Sequence, residues 1–269
     1  MSADVSPLAG RKVVVTAERR REELAGLLER RGAVVSVTPT IHTTSLADDR
    51  ELKNATEVCL AGRVDDLVVM TGMGFRGWLD AAAQWGLREQ LIQALRPVRI
   101  LARGPKAKGA IRGAGLRETY AAGSEASAEL LAYLVEQPLT GSKIAVQLHG
   151  DRMQAFTEAL TGKGAEVVEL PVYQWHPPTD PEAVNALVDA IVAAEVDIVT
   201  FTSAPAAAYL LEAAGERRDD LIKAFHGPVM AACVGPITAA PLTALGVPTV
   251  QPERGRLGAL VRALEERLG

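Results

Sequence analysis

Leu101-Ala-Arg-Gly-Pro-Lys-Ala-Lys-Gly-Ala-Ile-Arg-Gly-Ala-Gly-Leu116 returns later in the chain as Ala232-Cys-Val-Gly-Pro-Ile-Thr-Ala-Ala-Pro-Leu-Thr-Ala-Leu-Gly-Val247. Gly104 pairs with Gly235, Pro105 with Pro236 and Gly115 with Gly246, each at an offset of 131 residues (235 − 104, 236 − 105, 246 − 115). The register extends outward. Gly10-Arg-Lys-Val-Val-Val15 matches Gly141-Ser-Lys-Ile-Ala-Val146, and Asp66-Leu-Val-Val-Met-Thr71 matches Asp197-Ile-Val-Thr-Phe-Thr202 at the same offset. Gly32-Ala-Val-Val35 and Gly164-Ala-Glu-Val167 match after a one-residue slip. A period this long is a domain duplication rather than a solenoid. An apolar run followed by Gly-Pro and a helical pattern is a strand turning into a helix, so each copy is an α/β unit. Two similar lobes are therefore expected, with a ligand site between them.

Apolar β-branched runs alternate with helical patterns almost throughout, which predicts doubly wound parallel sheets covered on both faces. The alternation breaks at Pro39-Thr-Ile-His-Thr-Thr-Ser45 and at Pro171-Val-Tyr-Gln-Trp-His-Pro-Pro178, extended segments that read as crossings between lobes. One domain then combines residues 1–38 with 179–269, the other is the continuous stretch 45–170, and 39–44 with 171–178 form the linker. Strands are expected at 13–16, 33–37, 67–71, 98–102, 118–121, 143–148, 166–170, 197–202, 229–234 and 248–251, and a helix at 21–31. A last helix over 257–268 carries a stripe of Leu257, Leu260, Val261, Leu264 and Leu268.

With 269 residues and 48% hydrophobic content the chain can bury two cores. It lacks a membrane-length apolar run and a signal-peptide pattern, so a cytoplasmic location and no membrane partner are expected. A net charge of −4 disfavours nucleic acid. Cys59 and Cys233 have neither metal-ligand nor disulfide-framework spacing and read as buried thiols; no histidine pair has helical ligand spacing, so no metal is expected. Gly72-Met-Gly-Phe-Arg-Gly77 satisfies the G-x-G-x-x-G dinucleotide pattern, but the acidic residue expected after the next strand is missing, and the second copy's turn, 202–208, has no glycines. A G-x-S-x-G elbow is absent, which disfavours a hydrolase.

What remains is a set of turns at strand C-termini, where α/β sheets bind ligands. They contain Thr16, Thr71-Gly72, Gly104-Pro105, Gln147 to Gly150, Thr202-Ser203 and Gly235 to Thr238. Each could be ordinary helix capping; together their free N–H groups suit a polyanion. Basic clusters, Arg19 to Arg21 and Arg103 with Lys106 and Lys108, stand at two of these ends. Tyr173 lies in a crossing segment opposite Ile41 of the other copy, either packing there or supplying a phenolic proton.

These stretches, together with Lys12 to Thr16, Glu169-Leu-Pro-Val-Tyr-Gln174 and Val234-Gly-Pro-Ile-Thr-Ala239, resemble the uroporphyrinogen-III synthase family along nearly the whole chain. The resemblance implies two flavodoxin-like domains joined by a two-stranded linker. It implies cyclisation of hydroxymethylbilane with inversion of ring D and loss of water, without metal or organic cofactor. It further implies that Tyr173 assists departure of the hydroxyl and that Thr71, Gly72, Gly104, Ser203, Gly235 and Thr238 line the substrate; Thr16, Arg19, Met73, Arg103, Lys106, His149, Gly150 and Thr202, at the same strand ends, complete the expected substrate-binding set. Many family members have Ser where this chain has Gly72. A monomer is expected; the alternatives are a non-catalytic tetrapyrrole sensor or regulator and a two-lobed small-molecule receptor.

Overall fold

The computed structural model describes residues 6–269. Twelve strands are found among them: β1 (Lys12–Val15), β2 (Val34–Val37), β3 (His42–Ser45), β4 (Asp66–Val69), β5 (Arg99–Ala102), β6 (Tyr120–Ala121), β7 (Lys143–Gln147), β8 (Glu166–Leu170), β9 (Tyr173–His176), β10 (Ile198–Phe201), β11 (Met230–Cys233) and β12 (Thr249–Val250). The chain divides into two compact units. One comprises Met1–His42 and His176–Gly269, the other Thr43–Trp175.

The first unit holds a five-stranded sheet in the order β12-β11-β10-β1-β2, and the second one in the order β6-β5-β4-β7-β8. Every pairing within these sheets is parallel. β3 and β9 form a separate two-stranded sheet where the chain passes between the units. Numbered along the chain, the first sheet runs 2-1-3-4-5, the flavodoxin-like order, with its switch point between β1 and β10. The second reaches the same spatial arrangement with its strands permuted, because it takes the last three strands of one copy and the first two of the other. Its switch point lies between β4 and β7. The expected doubly wound parallel α/β fold is the one observed.

Parallel sheets need both faces covered, and β4 meets the need by alternation. Leu67 and Val69 enter a core with Phe75, Trp78, Leu79, Leu91 and Ile111. Val68 and Met70 enter another with Leu130, Leu134, Phe156 and Leu160. The one polar atom of Trp78 is satisfied, its Nε1 donating to Thr56 Oγ1 at 2.8 Å. In the first unit Val13, Val15 and Ile198 pack on the C-terminal helix Leu257–Leu268, whose Leu260, Val261 and Leu264 are fully buried. Each such side chain contributes about 1.5–3 kcal/mol by leaving water.

The opening repeat has a backbone cause at Gly115 and Gly246, both just after a helix with φ of 74° and 75°. This left-handed conformation is one that glycine adopts without steric cost and side-chain residues disfavour. The register of one other match is corrected. Lys12 and Lys143, 131 apart, donate their backbone N–H groups to Asp197 and Asp65 respectively, both at 2.8 Å. Asp197 therefore corresponds to Asp65, not Asp66, and Thr71 to Ser203, each being the residue that precedes its helix. The first helix is also shorter than expected, Arg21–Glu29, and the 118–121 strand contracts to two residues.

Candidate functional site

The carboxyl ends of β4, β5 and β7 converge with β9 in the second unit. Thr71 leaves β4 in an extended conformation and caps the helix Gly72–Gln84, its Oγ1 accepting from Gly74 N at 2.9 Å. The same oxygen lies 3.4 Å from Tyr173 Oη. Tyr173 is nearly buried, and its ring meets Trp175 edge-on at 6.0 Å between centroids. Trp175 in turn meets His149 at 4.8 Å, nearly perpendicular. Gly150 makes room for that indole, since a Cβ there would come within 2.4 Å of it.

His149 is held neutral far below its ordinary range, down to about 3, chiefly by burial and secondarily by the charge of Arg103. Arg103 is half-buried, and burial lowers its pKa while nearby Tyr173 and Glu125 act in the opposite direction. No carboxylate among the described residues lies within ion-pair distance of it. A guanidinium that has lost much of its water without gaining a partner is a seat for an acidic group. Lys106, exposed on the next helical turn, is likewise unpaired, whereas Lys108 is bonded to Glu118 at 3.2 Å. Gly104 is extended and buried, and the helix Pro105–Gly113 that follows has no side-chain cap, so its first N–H groups remain available.

The glycines of the dinucleotide-like motif serve packing. A Cβ on Gly72 would lie 2.1 Å from the Lys106 carbonyl oxygen, one on Gly74 2.0 Å from Gln147 Nε2, and one on Gly77 3.1 Å from Val172 Cγ1. Met73, half-buried, packs against the core beneath, so its place in the site is that of a support.

The first unit has a corresponding rim at its own switch point. Ser203 and Gly235 precede the helices Ala204–Ala213 and Pro236–Thr243, neither of which has a side-chain cap. Thr202 is half-buried at the end of β10, and Thr238 sits buried in the first turn of the second helix. Thr16 is a correction. It is fully buried and its hydroxyl donates to the Thr200 carbonyl at 2.8 Å, so it ties two strands together and has no surface for a ligand. Of the first basic cluster, Arg20 pairs with Glu23 at 2.6 Å and Arg21 with Glu22 at 2.8 Å, leaving Arg19 exposed.

Four residues make contacts that the sequence alone does not reveal. Gln147, at the end of β7, is fully buried and accepts from Thr71 N at 3.0 Å; Trp175 lines the second unit's rim; Glu18 and His42 are joined at 2.7 Å in the first unit. All depend on contacts distant in sequence, and only the polar turn 147–150 offered a signal. A depression of about 420 Å³, lined by Asp65, Arg99 and Ser142 among others, opens at the opposite, amino-terminal edge of the second sheet and contains none of the expected site residues. Among the described residues no group of three or more His, Cys, Asp or Glu side chains could hold a metal ion, and no helix is long and apolar enough to cross a membrane.

Residues 22–262 match the family model described as uroporphyrinogen-III synthase HemD. The Bacillus subtilis (strain 168) protein YjjA, itself uncharacterized, is 29% identical over 257 residues, 94% of each chain. The crystal structure of a mutant uroporphyrinogen III synthase from the extremely thermophilic bacterium Thermus thermophilus has 29% identity and a TM-score of 0.80, covering 96% of this chain and 100% of that one. The wild-type enzyme of the same organism, in another crystal form, has 30% identity and a TM-score of 0.67, covering 97% and 100%. With duplicated sheets of flavodoxin-like order, a phenol at the carboxyl rim and a family match over most of its length, the chain belongs to the uroporphyrinogen-III synthase family.

Proposed function

We propose that the chain is an active uroporphyrinogen-III synthase, a cyclising lyase that converts hydroxymethylbilane to uroporphyrinogen III with loss of water. The observation that carries this reading is the rim of the second unit, where the Tyr173 hydroxyl stands beside the Thr71 hydroxyl and an unpaired, half-buried Arg103. The bilane has an acetate and a propionate on every ring. Arg103, Lys106 and Arg19 offer cations to these groups, and the uncapped turns at Gly104, Ser203 and Gly235 offer backbone N–H groups. Gly72, Gly150, Thr202 and Thr238 complete the proposed lining, and neutral His149 can exchange a hydrogen bond without adding charge.

Tyr173 gives its proton to the hydroxymethyl oxygen as the carbon–oxygen bond breaks, and the adjacent pyrrole nitrogen supplies the electron pair. Water leaves and an azafulvene remains. The substituted α-carbon of ring D attacks its exocyclic carbon to give a spiro intermediate. Cleavage of the older bond to that carbon, and closure at the other α-carbon, inverts the ring. Loss of the proton from that second carbon restores aromaticity and can return Tyr173 to its acid form. Because the bilane can also close unaided without inversion, the larger task is to hold its shape, and positioning should outweigh proton transfer.

Incubating the purified protein with hydroxymethylbilane, oxidising the products and separating the uroporphyrin isomers tests the reading. Enrichment of type III is expected. Tetrapyrrole binding with no isomer bias would instead identify a sensor of the same fold.

A further inference from the structure

We propose that Gln147 is a positioning residue for Tyr173, acting through Thr71. The inference rests on the proposed synthase reaction and names a residue for which no role has yet been given in it. Gln147 ends β7 with no exposed surface. Its Oε1 accepts from Thr71 N at 3.0 Å and its Nε2 donates to the Leu148 carbonyl oxygen. An N–H on one side and a carbonyl on the other admit only one orientation of the amide. Gly74 closes the clamp, since the Gln147 amide occupies the volume a Cβ at that position would need.

Thr71 is thereby held at both ends, its N–H by Gln147 and its Oγ1 by Gly74 N. The Thr71 hydroxyl, 3.4 Å from Tyr173 Oη, keeps its own proton while Oγ1 accepts from Gly74 N, and can turn that proton to the phenol oxygen once the phenol has given up its hydrogen. The same proton then stabilises the phenolate left after transfer.

The duplicated unit supplies a comparison. Gln147 corresponds to Thr16, whose hydroxyl turns to the Thr200 carbonyl. Thr71 corresponds to Ser203, which makes no side-chain cap, and Tyr173 lies opposite Ile41. The first unit thus lacks the clamp, the capping hydroxyl contact and the phenol together, as expected of parts that work as one device.

The test compares Gln147→Leu, Tyr173→Phe and the double variant. Gln147→Leu should lower kcat roughly 10-fold or more with KM little changed, since small displacements of a reacting group have effects of this size. In the Tyr173→Phe background the same change should have no further effect on kcat; two multiplicative losses would overturn the proposal. Gln147→Glu should recover activity as pH falls, because a protonated carboxyl can both accept from Thr71 and donate to Leu148. Absence of that recovery would also count against the clamp. A second readout is independent of turnover: the ultraviolet titration of the phenol missing from Tyr173→Phe should move to higher pH in Gln147→Leu. A wild-type protein that forms no type III product would remove the reaction, while an unmoved phenol titration would remove the clamp.

Discussion

Gly72→Ser adds the smallest polar side chain at the start of the helix Gly72–Gln84, and the structure expects it to be harmful. The added Cβ would stand 2.1 Å from the backbone oxygen of Lys106 and 2.8 Å from its carbon. Ordinary contacts of a Cβ begin near 3.4 Å, so the overlap exceeds 1 Å, and the obstacle is backbone in the first turn of a packed helix. Relief requires the helices Gly72–Gln84 and Pro105–Gly113 to separate. Overpacking of this kind costs about 1–3 kcal/mol, while replacing glycine at a helix start returns a few tenths at most. A net loss of about 2 kcal/mol corresponds to a Tm lower by roughly 4–8 °C for a chain of this size. Calorimetry of wild type and variant measures it, with both units scored because their transitions need not coincide. Equal stability, or a crystal structure of the variant with the two helices unmoved, would refute the reasoning.

Tyr173→Phe is expected to lower kcat by about 100-fold, the usual scale of a lost general acid, while residual product remains enriched in type III; a folded variant with no activity would reverse the ranking of positioning over proton transfer. His149 binds its proton in the unfolded chain near pH 6.5 but in the folded protein only near 3. Stability from this group is therefore complete above about pH 6.5 and is lost as pH falls toward 3. His149→Gln should flatten the decline of Tm across that window, and an unchanged slope would argue that the imidazole stays hydrated. Burial pushes both thiols up to about 12, so Cys59 and Cys233 should react with a disulfide reagent only after unfolding; prompt labelling of the native protein would contradict their burial.

The fold was legible because its strands are buried on both sides. Short, β-branched apolar runs such as Leu67 to Met70, bounded by aspartates before and Thr-Gly after, read as central strands between helical layers, and the bounds of Leu257–Leu268 follow from a stripe that needs no distant information. The one-residue error at Asp66 arose because two adjacent aspartates fit the repeat equally well on paper. Only the hydrogen bonds from Lys12 and Lys143 distinguish them. Site residues were less legible. Thr16 and Thr71 look alike in sequence, yet one seals two strands and the other faces a phenol. Gln147 read as part of a polar turn, since its meaning lies in a contact with a residue 76 positions away. Arg103 stood in a basic cluster like any other until Lys108 proved to be paired with Glu118 and Arg103 did not.

Inversion of ring D is the event on which the account rests, and it can be followed atom by atom. A hydroxymethylbilane would carry isotope-labelled carbon in the methylene joining rings C and D and in the ring-D carbon bonded to it. In the starting material these two labels are directly bonded and show one-bond coupling by NMR. The account expects that coupling to vanish from the macrocyclic product formed by this protein, because the methylene migrates to the other α-carbon. A product in which the coupling survives, at the rate and in the proportion of the unassisted reaction, would contradict it.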